Sequence, residues 1–174
     1  MMRHWAIALG VILMMTEQVS ADYLSDAPEL ISFSQQGWGQ LGVDVAAHAP
    51  GQTPLPLRIG EKQYTKGLGH HAPGEIMVEL NGEYDSFEAE VGVQANCAGG
   101  SVVFQVFVDD AQRFDSGVLK AGDPAKPVNI PTAGARELRL VVTDAGESPA
   151  SPVDFSSAAE LPHGFGPWRP RRLS

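Results

Sequence analysis

The stretch that decides the fold is Tyr64–Tyr84, YTKGLGHHAPGEIMVELNGEY. It opens as a glycine-rich loop, passes through the adjacent pair His70 and His71, and ends in a segment where apolar and polar side chains alternate. Alternation with a period of two is typical of a β-strand with one buried face. An Asn-Gly pair follows at once and is a strong turn signal. The stretch therefore predicts a loop, a strand over Glu75–Leu80 and a reversal of the chain.

The alternation continues on both sides of this stretch. Ser86–Val93 is its cleanest example, and Val102–Val108 is apolar on nearly both faces, which predicts an interior strand. A proline in Leu55–Ile59 predicts that this strand lies at a sheet edge. Further strands are predicted at Glu29–Ser34, Arg113–Leu119, Pro127–Ile130 and Leu138–Val142. Seven or eight short strands with turn signals between them, and no sustained helical spacing before Gly146, predict an all-β sandwich.

The two ends of the chain differ from this body. Residues 1–21 combine a basic start, a short uncharged apolar run and small residues at 19–21, which predicts a signal peptide cleaved before Asp22. An uncleaved anchor is the alternative, but the run is short for a bilayer span, and no later segment is long and apolar enough to be one. Residues 147–174 are rich in Pro, Ser and Ala, which predicts a disordered tail. We therefore expect a domain at 22–146 in a protein that is secreted, periplasmic or at the cell surface.

The predicted domain is acidic. The chain of 174 residues has a formal net charge of −9, and residues 22–146 hold 17 acidic and 8 basic residues, which accounts for all of that excess. An acidic surface repels phosphate backbones, so nucleic acid is excluded as a partner. Such a surface suits a neutral ligand or a cation.

The sequence contains no motif that predicts an enzyme. It has no Gly-x-Ser-x-Gly elbow, and the glycines at 67 and 69 lack the third glycine of a dinucleotide-binding loop. Pairs of carboxylates are available by chance in so acidic a chain, so they do not predict a glycosidase. Cys97 is the single cysteine, and a small semi-buried residue is favoured over a catalytic thiol.

A wider set of residues identifies a family. The pattern starts at Trp38-Gly39 and centres on residues 64–72, Tyr-Thr-Lys-Gly-Leu-Gly-x-His-Ala, in front of an alternating strand. It continues through Gly82-x-Tyr84-x-x-Phe87, Val91-Gly92-Val93, Val102-x-Phe104-x-Val106, Asp115-Ser116-Gly117 and Leu138-x-Leu140-x-Val142-x-Asp144. In this pattern the chain resembles the NPCBM domain, a family of carbohydrate-binding modules often fused to glycoside hydrolases. The resemblance covers about Trp38 to Gly146.

The resemblance implies a galactose-binding-domain-like jelly-roll β-sandwich, with sugar recognition by loops at one end. The expected function is that of an exported, non-catalytic carbohydrate-binding module for galactose-like glycan termini. After Gly146 the chain departs from the family, because a Pro/Ser-rich segment stands where members have a closing strand. This departure favours an alternative, a cell-surface or matrix protein-interaction domain that has lost sugar binding.

Six residues are candidates for sugar contacts, which need an aromatic face for the ring and polar groups for the hydroxyls. They are Trp38, Tyr64, Lys66, His70, His71 and Asn96. Structural roles are the alternatives: Trp38 as an anchor at the core edge, Tyr64 as a buried plug, and His71 as a buried side chain bonded to backbone. His70 occupies the variable position of the motif and is expected to be the freer histidine.

A metal site has weaker support. Neighbouring side chains on a strand point to opposite faces, so the two adjacent histidines do not predict a shared ion. The fold resemblance implies a structural calcium ion in many members, and Asp109 and Asp144 are the candidate ligands. Capping of a hairpin is the alternative role for such acids.

Overall fold

The computed structural model describes residues 23–97, 100–145 and 156–160. The predicted signal peptide therefore lies outside the described residues, as does most of the predicted tail. Two short 3-10 helices, Leu24–Asp26 and Pro28–Leu30, precede the first strand. Within the described ranges no helix has the length and apolar character needed to cross a bilayer.

Strands make up most of the rest of the described chain. In order they are β1 Ile31–Gln36, β2 Gly42–Val43, β3 Leu57–Ile59, β4 Lys62–Tyr64, β5 Leu68–His71, β6 Gly74–Glu79, β7 Ser86–Val93, β8 Ser101–Val108, β9 Ala111–Lys120, β10 Lys126–Pro131, β11 Glu137–Thr143 and β12 Ser156–Glu160. The alternating segments of the sequence all form strands, and β7 has the predicted bounds.

Two five-stranded sheets form the sandwich. The first has the order β1-β6-β11-β8-β9 and the second the order β10-β7-β12-β5-β2. The strand pairs resolved among the described residues are antiparallel. The prediction of an all-β, antiparallel jelly-roll sandwich is therefore confirmed, and β8 is an interior strand as expected.

The core lies between the two sheets and is built by the alternation seen in the sequence. Inward side chains of β7, such as Phe87 and Val91, meet those of β6, β8 and β11, such as Val78, Phe104 and Leu138. These side chains are almost fully buried, and each contributes about 1.5–3 kcal/mol through removal of apolar surface from water. Cys97 is also buried, in agreement with a structural role.

A small hairpin covers the outside of the second sheet. Among the described residues, strands β3 and β4 form a two-stranded sheet, and Ile59 adds an isolated bridge to Gln94; this agrees with the predicted edge position of the first strand. Leu57, Ile59 and Tyr64 form a second, smaller hydrophobic cluster there. The side chain of Ile59 lies over Gly92, where a Cβ atom would come within 2.4 Å of it. Gly92 is therefore the site at which the hairpin can approach the sheet closely.

Two of the strands overturn sequence-based expectations. The sequence predicts residues 68–71 as part of a loop, but they form β5. All four residues are buried, and a strand that is covered on both faces shows no alternation of apolar and polar residues in its sequence. Residues 156–160 lie in the predicted disordered tail, yet their backbone forms β12. It pairs with β5 on one side and β7 on the other, so it supplies the backbone partners that both strands need. A strand therefore lies in the segment where the sequence predicts that the closing strand of the family is missing or replaced.

Candidate functional site

The end of β1 meets the end of β5 at one end of the sandwich. The backbone N–H of His71 donates to Oε1 of Gln36 at 3.1 Å, and the N–H of Gly37 donates to the carbonyl of His71 at 3.4 Å. A Cβ atom on Gly37 would lie 2.9 Å from the carbonyl oxygen of Ala72, so only glycine allows this approach. We call residues 35–38 with residues 70–74 the β1–β5 junction. It connects the first sheet to the second.

Trp38 presents an aromatic surface at this junction. Its side chain is 40% exposed, although tryptophan is a residue that folding usually buries. The ring centroid lies 5.2 Å from that of His71, and the two ring planes are tilted by 56°. His71 is itself 5% exposed, and its Nδ1 lies 3.3 Å from the carbonyl oxygen of Ala72. The interpretation of His71 as a buried residue bonded to backbone therefore agrees with the structure, and its ring supports the indole of Trp38.

His70 is not the freer histidine that the sequence predicts. It is 5% exposed, and its ring lines a cavity between the sheets together with Leu68 and Phe104. Its ring bonds to the backbone of Gln35, and its Cε1 atom occupies the space where a Cβ atom on Gly74 would lie. Burial lowers the pKa of His70 to about 4, helped by the neighbouring His71 and opposed by the bond to Gln35. His70 is thus neutral at pH 7 and links the sheets from inside.

Lys66 is held away from the junction, at the opposite end of β5. Its ammonium group forms ion pairs with Asp26 and, at 3.0 Å, with Asp44. These bonds raise the pKa of Lys66. Burial would raise the pKa of Asp44, but hydrogen bonds from Ser25, Lys66 and the backbone of Gly67 lower it overall. Lys66 therefore ties the start of β5 to two preceding segments and does not face Trp38.

Tyr64 is also separate from Trp38. It is 2% exposed and belongs to the small cluster under the β3–β4 hairpin. The ammonium group of Lys62 lies 4.6 Å from its ring centroid. Its position matches the interpretation as a buried plug.

Asn96 and Asp144 lie at the same end of the sandwich as Trp38. Asn96 is exposed in the turn after β7, and the end of β7 is aligned with the end of β5 across β12. Asp144 follows β11, whose residue Val142 pairs with Gly74 of the junction. Of the six residues predicted to contact sugar, four therefore lie at this end, namely Trp38, His70, His71 and Asn96, and of these His70 and His71 are buried.

Asp109 and Asp144 do not form a joint metal site. Six residue pairs of β8 and β11 separate them, a distance of roughly 20 Å along the strands. Oδ1 of Asp109 instead accepts the backbone N–H groups of Arg136 and Glu137 at 2.9 and 3.0 Å, which is the capping role. In the part of the chain that the structure describes, no three His, Cys, Asp or Glu side chains are grouped to hold a metal. Asp109 and Asp144 therefore do not share one ion, and a role of either residue alone in a calcium site stays a prediction.

Sequence reasoning missed Gln36 and the glycines that shape the site. Gln36 belongs to a plain Ser-Gln-Gln segment, and its bond to His71 joins residues 35 positions apart. Gly69 lies in the motif, and a Cβ atom there would come within 2.4 Å of the carbonyl oxygen of Val45. The glycines of the motif were a usable signal, because close backbone approach is a known reason for glycine. The glutamine offered none.

Comparisons with known proteins identify relatives over most of the chain. The family model for the NPCBM/NEW2 domain matches residues 20–158. A curated protein of Renibacterium salmoninarum, named "Putative endo-alpha-N-acetylgalactosaminidase", is 33% identical over 71% of this chain. Alpha-1,3-galactosidase B of Akkermansia muciniphila is 31% identical over 63% of this chain. The matches span only 8% and 14% of those two proteins, respectively.

Solved structures show the same fold. The CBM51 module of a GH95 protein from Clostridium perfringens, solved in complex with methyl-galactose, superimposes with a TM-score of 0.67 and is 36% identical; the match covers 82% of this chain and all of that one. The CBM51-2 and INT domains of ZmpB from the same organism, solved with GlcNAc on CBM51-2, give a TM-score of 0.67 at 26% identity, over 79% of this chain and 30% of that one.

Proposed function

The chain belongs to the NPCBM/NEW2 domain family, and from that premise we propose that it is a carbohydrate-binding module. The ligand that we propose is a galactose-like sugar at the end of a glycan. Support for the sugar class comes from two similar CBM51 modules, which were solved with methyl-galactose and with GlcNAc. The acidic body of the chain is consistent with a neutral ligand of this kind.

The observation that carries the proposal is the exposed indole of Trp38. A pyranose ring has a face of C–H groups that packs on an aromatic ring, and the outer surface of Trp38 is available for such a contact. The ring is supported by His71 at 5.2 Å, so its orientation is set before a ligand arrives. Asn96, exposed at the same end, is the proposed partner for sugar hydroxyls.

We propose that the module is not catalytic and is exported. The described residues contain no candidate nucleophile beside a base at the junction, because both histidines are buried and engaged with backbone. Export rests on the predicted signal peptide, with cleavage before Asp22. The alternative of a protein-interaction domain without sugar binding drew its support from a missing closing strand, and β12 occupies that place.

The test is a glycan-array screen of the purified chain, followed by titration calorimetry with the best ligand. Trp38→Ala should weaken binding by about 30-fold, the loss typical of a central aromatic contact. Phe33→Ala is the matched control, because Phe33 is also 40% exposed and lies on β1 but away from the junction. Equal losses in both variants, or a silent array from folded protein, would refute the proposal.

The same screen is run with calcium and with EDTA. Binding that is unchanged in EDTA is the expected result, because the described acidic side chains form no group that can hold a metal. If binding is lost in EDTA, the ligand site contains a metal ion that the described side chains do not explain.

A further inference from the structure

We propose that Gln36 is the positioning residue of the sugar site, holding the Trp38–His71 ring pair in the arrangement that binds ligand. This inference rests on the proposed function and adds to it a residue that neither the family pattern nor the exposed surface identifies. It starts from the β1–β5 junction, where two strands of different sheets meet without pairing with each other.

The junction has two direct bonds to the backbone of His71. One is the bond from Gly37 N–H to the carbonyl of His71, and the other is the bond from His71 N–H to Oε1 of Gln36. The first joins backbone to backbone and is present with any residue that fits. The second depends on the Gln36 side chain, so a substitution at Gln36 can remove it while Gly37 and the bond from His70 to the Gln35 backbone stay in place.

The geometry of the rings follows from these bonds. His71 carries the ring that supports Trp38, and Trp38 lies two residues after Gln36. Both partners of the ring pair are therefore attached to the ends of the Gln36–His71 hydrogen bond through only a few rotatable bonds. When that bond is absent, His71 N–H is left without this acceptor, and the two strand ends are free to separate at the site of the rings.

The amide of Gln36 has one described function. An N–H donor needs an oxygen acceptor, so the bond to His71 fixes which end of the amide is Oε1. Nε2 is buried and has no hydrogen-bond partner among the described residues. Exchange of that nitrogen for oxygen, as in Gln36→Glu, keeps the acceptor for His71 and removes no described bond, but it buries a carboxyl oxygen without a donor, so we expect this variant to be less stable than wild type. Gln36→Met has a similar length and removes the acceptor.

The experiment compares these two variants with the wild-type chain. In the free proteins, NMR measures hydrogen exchange at His71 N–H and the chemical shifts of the His71 ring protons, which the nearby indole affects. Gln36→Met should speed the exchange and move the ring shifts, and it should weaken glycan binding about tenfold, the size of one net hydrogen bond. Folded Gln36→Glu should keep both NMR signatures and bind within about threefold of wild type. This loss is smaller than the loss of about tenfold expected when the hydrogen bond is removed.

Gln35→Met is the control for the substitution itself. Gln35 is adjacent and exposed, and the same replacement there should leave the NMR signatures and the affinity unchanged. The inference is overturned if Gln36→Met leaves the His71 signals unchanged, or if it changes them while glycan affinity stays at the wild-type value. A wild-type chain that binds no glycan refutes the proposed function instead, and the NMR comparison still decides whether Gln36 holds the ring pair.

Discussion

Acidification should destabilise this protein through His70 at a pH where carboxylates still have little effect. His70 is neutral in the folded state because burial lowers its pKa from 6.5 to about 4. The unfolded chain therefore binds more protons than the folded chain between these two values, and the free energy of unfolding falls as the pH falls. A shift of this size corresponds to about 2 kcal/mol lost between pH 7.5 and pH 5, and about 3 kcal/mol by pH 4.

The groups around His70 determine the sign of this effect. On its own strand His71 lowers the pKa of His70 further, while the bond to the Gln35 backbone of β1 favours the protonated ring. The cavity lining from the facing sheet is almost entirely apolar and includes Ile76 and Phe104. Asp44 and Glu90 have lowered pKa values, so their stabilising contributions are lost only at lower pH, as the pH falls through their folded-state values.

The assay is urea unfolding of the chain at half-unit steps from pH 7.5 to pH 5. His70→Gln is the matched variant, because glutamine can also donate to the Gln35 carbonyl but does not titrate. We expect the wild-type free energy of unfolding to fall by about 2 kcal/mol more than that of the variant over this range. If the free energy of unfolding falls equally with pH in both proteins, His70 is not the group that titrates.

Two further predictions concern stability. Gly69→Ala should cost about 3 kcal/mol, because the new Cβ atom would meet the backbone of Val45 and Ala47 at 2.4 and 2.5 Å; urea unfolding measures this, and a loss below 1 kcal/mol would contradict it. Asp109→Ala should cost about 1–2 kcal/mol by removing the acceptor of two backbone N–H groups at the start of β11. Asp110→Ala is its control, since both residues have positive φ and Asp110 is exposed; equal losses in thermal unfolding would point to backbone strain instead.

Strands whose sequence alternates or is rich in large apolar residues were predictable, and β5 and β12, which lack both signals, were not. In β7, Phe87, Ala89 and Val91 point inward while the residues between them are half exposed, so the period of two was visible. In β5 all four residues are buried, including both histidines, so the periodic signal vanished. β12 lies between β5 and β7, and its Ser-Ser-Ala-Ala-Glu sequence has no large apolar residue to mark it.

The sequence identified only part of the candidate site, because the contacts that build it join segments that are far apart in the chain. A tryptophan flanked by glycines is recognisable in a sequence as a candidate for sugar contact, but whether it is exposed or buried at the core edge was left open. Lys66 was also a candidate for sugar contact, but its charge is paired with Asp26 and Asp44, which lie 40 and 22 residues away in the chain. Which of two adjacent histidines is held by the interior and which supports an aromatic ring was equally beyond a local pattern.

The sequence by itself determined the sandwich, its turns and its family, because alternation, the Asn81-Gly82 pair and the other glycines act over a few residues and leave a local record. Only the tertiary structure decided which side chains meet. The bond between Gln36 and His71 and the contact between Trp38 and His71 join residues more than 30 positions apart. Such contacts depend on how two sheets pack face to face, and no period or motif within either segment encodes that geometry.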